Sequence, residues 1–394
     1  MKSPATADRD APIRVLVAAC GLGAAGGWNV TNIGAAAPVL GVAYGVELPI
    51  IGLIAAVLFA VQLATQVPVA RLVDRFGCRR MGWWCIATFV GANGLACMAP
   101  DPRLAFACRA VMGPAMAIAF VGASAYIRGA GGSSFSQGVF GGVSMGVGGI
   151  AIAVVPAMVP DFGWRTPFVG AIAICVLAAV MVSLGPADEG RPGGVEAISV
   201  RRILVDSVIR RLSVLQAAAF GLNTVIGNWI GALVERTSDS SARLAGFVGA
   251  MTLIAGVVSR PAGGWLSQRY PRHVHQLVGG SLIVGAVATA LLAAGPPLPV
   301  IVMASTLIGV AAGLPFGPIL HCAGRAYPDA PASAVAALNT GAVLVVIVGT
   351  PLLGYTFSLP GDGKIGFGAL ALLWALSVGA TSVLKSKAVL GLST

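Results

Sequence analysis

The sequence predicts an all-α membrane protein with twelve transmembrane helices in two pseudo-symmetric six-helix bundles. Three observations carry that prediction. Of the 394 residues, 57% are hydrophobic and only 10% are charged, whereas a soluble chain carries about 25% charged residues. A chain this long can do without a polar surface only where lipid takes the place of water. The apolar residues fall into twelve runs, each close to the ~20 residues a helix needs to cross a bilayer. A short basic motif behind the second run returns, altered, behind the eighth.

Residues 1–12 are polar and form a tail. The run 13–40 contains Asn29, Thr31 and Asn32 and is too long for a signal-peptide core, so it is the first span, uncleaved. Runs 48–70, 81–99, 104–127, 137–159 and 167–184 complete an N-terminal bundle over 13–184. Residues 185–212, the longest polar stretch, form a linker. It opens on Pro, Gly and acids and continues as an amphipathic helix with Arg201, Arg202, Arg210 and Arg211. That helix either lies on anionic headgroups or docks a regulator. Runs 213–234, 244–267, 274–294, 300–322, 335–357 and 366–384 build the C-terminal bundle over 213–384, and 385–394 is a second tail. Glycine and proline inside these runs are tolerated, because neighbouring helices satisfy freed backbone groups. The 54 glycines suit helices that must approach closely where no hydrophobic drive acts between them.

The net charge of +11 does not point to nucleic acid. The basic residues sit in short loops between apolar runs, not in a patch with interleaved aromatics. One set of loops holds Arg71, Arg75, Arg79, Arg80, Arg128, Arg269, Arg272 and Arg325; the opposite set holds Arg103, Arg165, Arg236, Arg243 and Lys364. Together with the basic tails and linker, this asymmetry predicts a multi-pass protein of the cytoplasmic (inner) membrane with both termini cytoplasmic. The seven cysteines lack metal-type spacing and read as small buried hydrophobes. No cofactor or metal is expected. The expected partners are membrane lipids and a small-molecule substrate, and the expected state is a monomer.

Residues 70–80 and 264–272 form the internal repeat, with Arg75 aligned to Arg269. Parallel halves of this kind place a solute site near the midplane between them. All fourteen acids fall in loops, tails or span ends, so a carboxylate proton relay of the usual intramembrane kind is not expected; Glu47 and Glu235 could border the cavity. Arg109 and Arg260 instead lie deep in spans 4 and 8, and an intramembrane charge faces a cavity or a partner. Arg260 precedes Arg269 by nine residues, and the residue nine before Arg75 is Gln66. Gln66 and Arg260 are therefore expected to face each other across the pseudo-two-fold axis, with Gln62 on the same face as Gln66. Trp28, Asn29 and Asn32 in span 1, Asn223 and Asn228 in span 7, and Asn339 in span 11 either line the cavity or make interhelical hydrogen bonds. The Gly-rich segment 141–146 lies inside a span, not in the strand–turn–helix setting a phosphate loop needs, and no catalytic motif is found.

Loop 2–3, with Asp74, Arg75, Gly77, Arg79 and Arg80, resembles the signature of the major facilitator superfamily. Ala70 replaces its leading glycine, Cys78 stands where a basic residue is usual, and Gln268 replaces the acid in the second copy. Arg109 with Gly113, the glycines Gly142, Gly146, Gly148 and Gly149 with Pro156, and Gly163-Trp164-Arg165 are similar to further motifs of that family. Val147 stands where its proton-coupled drug antiporters carry proline. The resemblance implies a secondary transporter working by alternating access. It implies conformational roles for Asp74, Arg75, Gly77, Arg79, Arg80, Arg109, Gly142, Gly146, Gly149 and Arg269. It also implies that Asp74 pairs with arginines and helix ends where the two halves meet. Arg260, Pro261, Gly263 and Gly264 look like the span-8 context of the nitrate/nitrite porter branch, in which arginines of spans 2 and 8 clamp the anion; here Gln66 takes the place of the first. The resemblance therefore implies a small anion as substrate: nitrate, nitrite, a cyanate-like ion or an organic monoanion. Efflux of drugs or neutral metabolites, with Arg260 as a gating residue, is the alternative, and a non-transporting sensor is the remote one.

Overall fold

The computed structural model describes residues 11–188, 200–237, 242–361 and 363–385. Among these the secondary structure is helical throughout. Ten stretches are long and apolar enough to cross a membrane. One of them, Ser134–Leu184, holds two passes that turn at Gly163, whose φ of 56° lies in the left-handed region. The shorter, more polar helix Cys78–Ala96 completes a chain of twelve. The helices run up to about two turns beyond the predicted runs, as in Ser207–Thr237's Ser207–Gln216 segment and in Ser134–Phe162. Hydropathy registers only the part of a helix that lies in hydrocarbon, while backbone hydrogen bonding continues into the polar boundary.

Four spans are not simple rods. Span 1 is helical over Ala11–Ala35 and restarts as Ala37–Tyr44, with Pro38 in the new first turn, where proline's missing N–H does no harm. Span 10 divides into Leu298–Gly313 and Phe316–Ala326 around Leu314 and Pro315. Spans 4 and 7 each contain a π-helical turn, at Ile118–Gly122 and Ala217–Leu222, a distortion frequent at functional sites.

The linker differs from the expectation. Its first residues are fastened to the N-terminal half. Arg14 Nε donates to the Leu184 carbonyl at 2.8 Å, the Tyr126 hydroxyl donates to the Pro186 carbonyl, and Asp188 accepts from the backbone N–H groups of Cys78 and Arg79. Cys78 is thus a buried helix start and not a loop residue. Residues 189–199 lie outside the described part. A short helix follows at Val200–Val205. Asp206 then caps the next helix, accepting from the N–H groups of Val208 and Ile209 at 2.7 and 3.2 Å, a geometry that satisfies orphan amides of a first turn. Arg210 and Arg211 belong to the first turns of span 7, continuous with it, and not to a separate surface helix.

Within and between the bundles, close approach depends on glycine. A Cβ on Gly27 would run into the Ser144 carbonyl of span 5, and one on Gly170 into the Trp28 ring. A Cβ on Gly34, in the same helix as Gly27, would meet nothing within 4 Å. Gly27→Ala should therefore destabilise the purified protein by the roughly 1–3 kcal/mol typical of overpacking or more, read as a lower melting temperature. Gly34→Ala should be neutral or slightly stabilising, since alanine is the better helix former. Equal melting temperatures for the two variants would contradict this packing.

Candidate functional site

The two halves meet mainly through spans 5 and 8, spans 2 and 11, and spans 5 and 10. We call the end that carries loop 2–3 the basic end. Gly138 and Gly142 of span 5 lie against the backbone of span 8: a Cβ on the first would collide with the Arg260 carbonyl, and one on the second would sit 2.8 Å from that of Val257. Gly146 meets the Val257 side chain, whereas a Cβ on Gly149 would face open space. The glycine crossing is thus confined to the basic side, and Gly149 takes no part in it.

Arg260 sits in this crossing. It is 2% exposed, and Arg109 and Arg260 are the two fully buried charged side chains among the described residues. Arg260 Nη1 donates to the Gly141 carbonyl across the interface at 3.0 Å, and the guanidinium lies over the Phe316 ring with Cζ 3.9 Å from its centroid. Nε has no partner among the described residues. A Cβ on Gly141 would overlap the Phe316 ring, so this glycine lets ring and guanidinium stack. Gly141 figured in the sequence only as part of a false loop motif.

Beneath the guanidinium is an aromatic cluster that sequence reasoning missed. Phe120, on the π-turn of span 4, has its centroid 6.0 Å from Phe140 and 6.1 Å from both Phe220 and Phe316. Phe220 lies on the π-turn of span 7, so two distorted turns from opposite halves bring their rings together. Isolated phenylalanines in apolar runs carry no local signal; only the tertiary meeting marks them. On span 7, Phe220, Thr224 and Asn228 are spaced by four and share a face. Exposure rises along it, from half-buried Phe220 to exposed Asn228, away from the basic end. Asn223 is buried, with no partner for Oδ1 among the described residues.

Gln66 and Arg260 each bond to a residue other than their expected counterpart. Gln66 Nε2 donates to the Thr340 hydroxyl at 2.9 Å, and its Oε1 accepts from Asn339 Nδ2 at 3.3 Å. Gln66 of span 2 therefore reaches span 11, as Arg260 of span 8 reaches span 5. The repeat is obeyed, but each residue addresses the helix opposite and not its own counterpart. Gln62 is buried, with no partner for Oε1 among the described residues, and its backbone nitrogen would stand 2.9 Å from a Cβ on Gly113.

The span 1 residues turn away from the interface. Trp28 Nε1 and Asn32 Nδ2 both donate to the Pro167 carbonyl, at 3.2 and 3.1 Å. Asn29 Oδ1 accepts from Asn93 at 3.1 Å, and the Asn29 carbonyl accepts from Arg109 Nη1 at 2.7 Å. All three are buried inside the N-terminal half, where they make interhelical hydrogen bonds. Arg109 ties span 4 to span 1.

At the basic end, Asp74 accepts from the N–H of Ala332 at 3.1 Å and from the N–H and hydroxyl of Ser333 at 3.2 and 2.8 Å. These are the first residues of span 11, whose own N-cap position is Ala330 and offers no side chain. A carboxylate of one half thus caps a helix of the other, a charge-assisted contact that also favours the helix dipole. Span 5, the pseudo-equivalent helix, is capped by its own Ser133, which accepts from the Ser136 N–H. Of the loop's arginines, Arg79 reaches the Ser183 carbonyl at 3.3 Å, while Arg75 and Arg80 lie over Phe76. Arg269 is exposed at the end of span 8.

A family model described as Major Facilitator Superfamily matches residues 17–350. The probable nitrate/nitrite transporter NarK2 of Mycobacterium tuberculosis is 33% identical over 221 residues, which is 53% of this chain and 53% of that protein, in both strains compared. The chain thus spans about half the length of the curated relatives it matches. Among solved structures, the transporter FucP in its outward conformation superimposes with a TM-score of 0.75 at 14% identity, over 95% of this chain and 99% of that one. The human organic anion transporter MFSD10 gives 0.73 at 14% identity, over 95% and 100%. At such identity the likeness is one of fold.

Replacing Asp74 by alanine should uncap span 11 without preventing membrane insertion. A cap is worth about 0.5–2 kcal/mol, so hydrogen exchange at the amides of Ala332 and Ser333 should accelerate by about two- to thirty-fold. Unchanged exchange there would remove the cap from the account.

Proposed function

The chain belongs to the Major Facilitator Superfamily, and we propose that it is a secondary transporter that carries a small anion across the cytoplasmic membrane by alternating access. The observation that carries this reading is Arg260: a buried guanidinium between the halves, stacked on Phe316 and bonded to one carbonyl. No carboxylate is among the buried side chains of the described residues. In a low-dielectric interior such a charge creates a positive potential that attracts anions and repels cations. Its planar fork suits a planar oxyanion, and the neighbouring phenyl rings suit a small flat solute. The partial likeness to NarK2 supports nitrate or nitrite; a cyanate-like ion or an organic monoanion has the same chemistry.

The basic end is the cytoplasmic side in this reading, by the distribution of Lys and Arg. The bonds of Asp74, Gln66 and Arg260 across the halves then close the cytoplasmic side, and the rising exposure along span 7 opens towards the outside. Transport breaks these contacts in a rigid-body rocking of the halves. Because Arg260 itself bonds across the interface, a gating role is the second reading, in which the cargo is a drug or a neutral metabolite.

Uptake of several labelled anions into proteoliposomes separates the two. If Arg260 holds substrate, Arg260→Lys should lower anion uptake about ten- to hundred-fold, the loss expected when a charge-assisted bidentate contact becomes a point charge. Gln66→Arg should shift preference towards nitrate or nitrite. If Arg260 only gates, both variants change rate with an unaltered selectivity profile.

A further inference from the structure

The corner formed by spans 2 and 3 carries a feature that binding of the solute does not explain. Phe76, the last residue of span 2, is 37% exposed. Two guanidinium groups lie over its ring, with Arg75 Cζ at 5.1 Å and Arg80 Cζ at 5.5 Å from the centroid. Both arginines are exposed, as is Leu72 one turn earlier. Trp83 and Trp84, 41% and 64% exposed, stand in the second turn of span 3, about 8 Å below its start at 1.5 Å per residue.

The charges of this corner are sorted by direction. Asp74 is turned to the first turn of span 11, and Asp188 to the first turn of span 3. Arg79 is drawn inward to the Ser183 carbonyl. Arg75 and Arg80 remain on the outer surface, gathered by one ring. A cation–π contact holds each of them at the surface, and two exposed guanidinium groups on one ring concentrate positive charge to which an anion is the complement. A phosphate diester accepts from two guanidinium groups at once, and exposed tryptophans at this depth are typical of the headgroup boundary.

We propose that Arg75, Phe76 and Arg80, with Trp83 and Trp84 beneath them, form a binding site for the headgroup of an anionic phospholipid in the leaflet at the basic end. The lipid phosphate pairs with these guanidinium groups, and its acyl chains run down past Leu72 and the tryptophans. The site adjoins Asp74 in sequence, so bound lipid steadies the loop that caps span 11. This proposal is independent of which solute is carried.

The full-length protein in nanodiscs tests it. Native mass spectrometry against phosphatidylglycerol and phosphatidylcholine of identical acyl chains should show preferential retention of phosphatidylglycerol. Arg80→Gln should reduce that preference roughly five-fold, the effect of about one basic residue at an anionic surface, and Phe76→Leu should reduce it by releasing both arginines. Arg272→Gln, an exposed arginine of loop 8–9, should leave it intact. Melting temperatures in phosphatidylcholine alone identify any variant that misfolds, and Arg75→Gln then stands in for it. Equal retention of the two lipids by the wild type, or an equal loss in Arg272→Gln and Arg80→Gln, would overturn the site in favour of diffuse surface charge.

Discussion

The contact on which the rest of the interface depends is the near-collision of spans 5 and 8. Gly138 and Gly142 leave room only for backbone against backbone, and this closeness lets Arg260 reach a carbonyl of the other half. In lipid there is no hydrophobic drive to press two helices together, so small residues and hydrogen bonds do that work. The same closeness sets the position of Phe316, which fits only because Gly141 has no side chain. Guanidinium, ring and glycine are therefore one unit: a side chain at Gly141 would move the ring, and the ring carries the charge.

The internal repeat explains the geometry and the asymmetry together. Span 2 reaches span 11 through Gln66, and span 8 reaches span 5 through Arg260. At the basic end Asp74 caps span 11, whereas span 5 is capped by its own Ser133. One contact of each pseudo-symmetric pair is charged and the other neutral, in opposite order along the chain. A charge-assisted bond is roughly twice as strong as a neutral one, so the charged contact should dominate at each level. The N-terminal half then supplies the stronger end closure, and the C-terminal half supplies the charge near the centre.

Much of the fold was legible in the sequence, because the bilayer imposes a length and an apolar composition on every crossing. The repeat register was legible too: it identified Gln66 and Arg260 as equivalents. It could not say that each bonds to a third helix, since a repeat gives equivalence and not contact. The asparagines of span 1 were left between two readings for a related reason. Helical spacing shows that Asn29 and Asn32 are neighbours but not whether their face looks to the cavity or into the bundle; Pro167, Asn93 and Arg109 settle that from other spans. The phenyl cluster was invisible, because phenylalanine in an apolar run is indistinguishable from lipid-facing residues until the helices are assembled. The π-turns of spans 4 and 7 have no sequence mark of their own.

The central claim is that the charge at Arg260 selects anions. Equilibrium binding to the purified protein tests it most directly, free of coupling ions and transport direction. Isothermal calorimetry with nitrate, nitrite, cyanate, formate, a sugar and a lipophilic cation should show saturable binding of at least one monoanion, absent in Arg260→Gln. Saturable binding of the cation or the sugar, with no anion bound, would contradict the account.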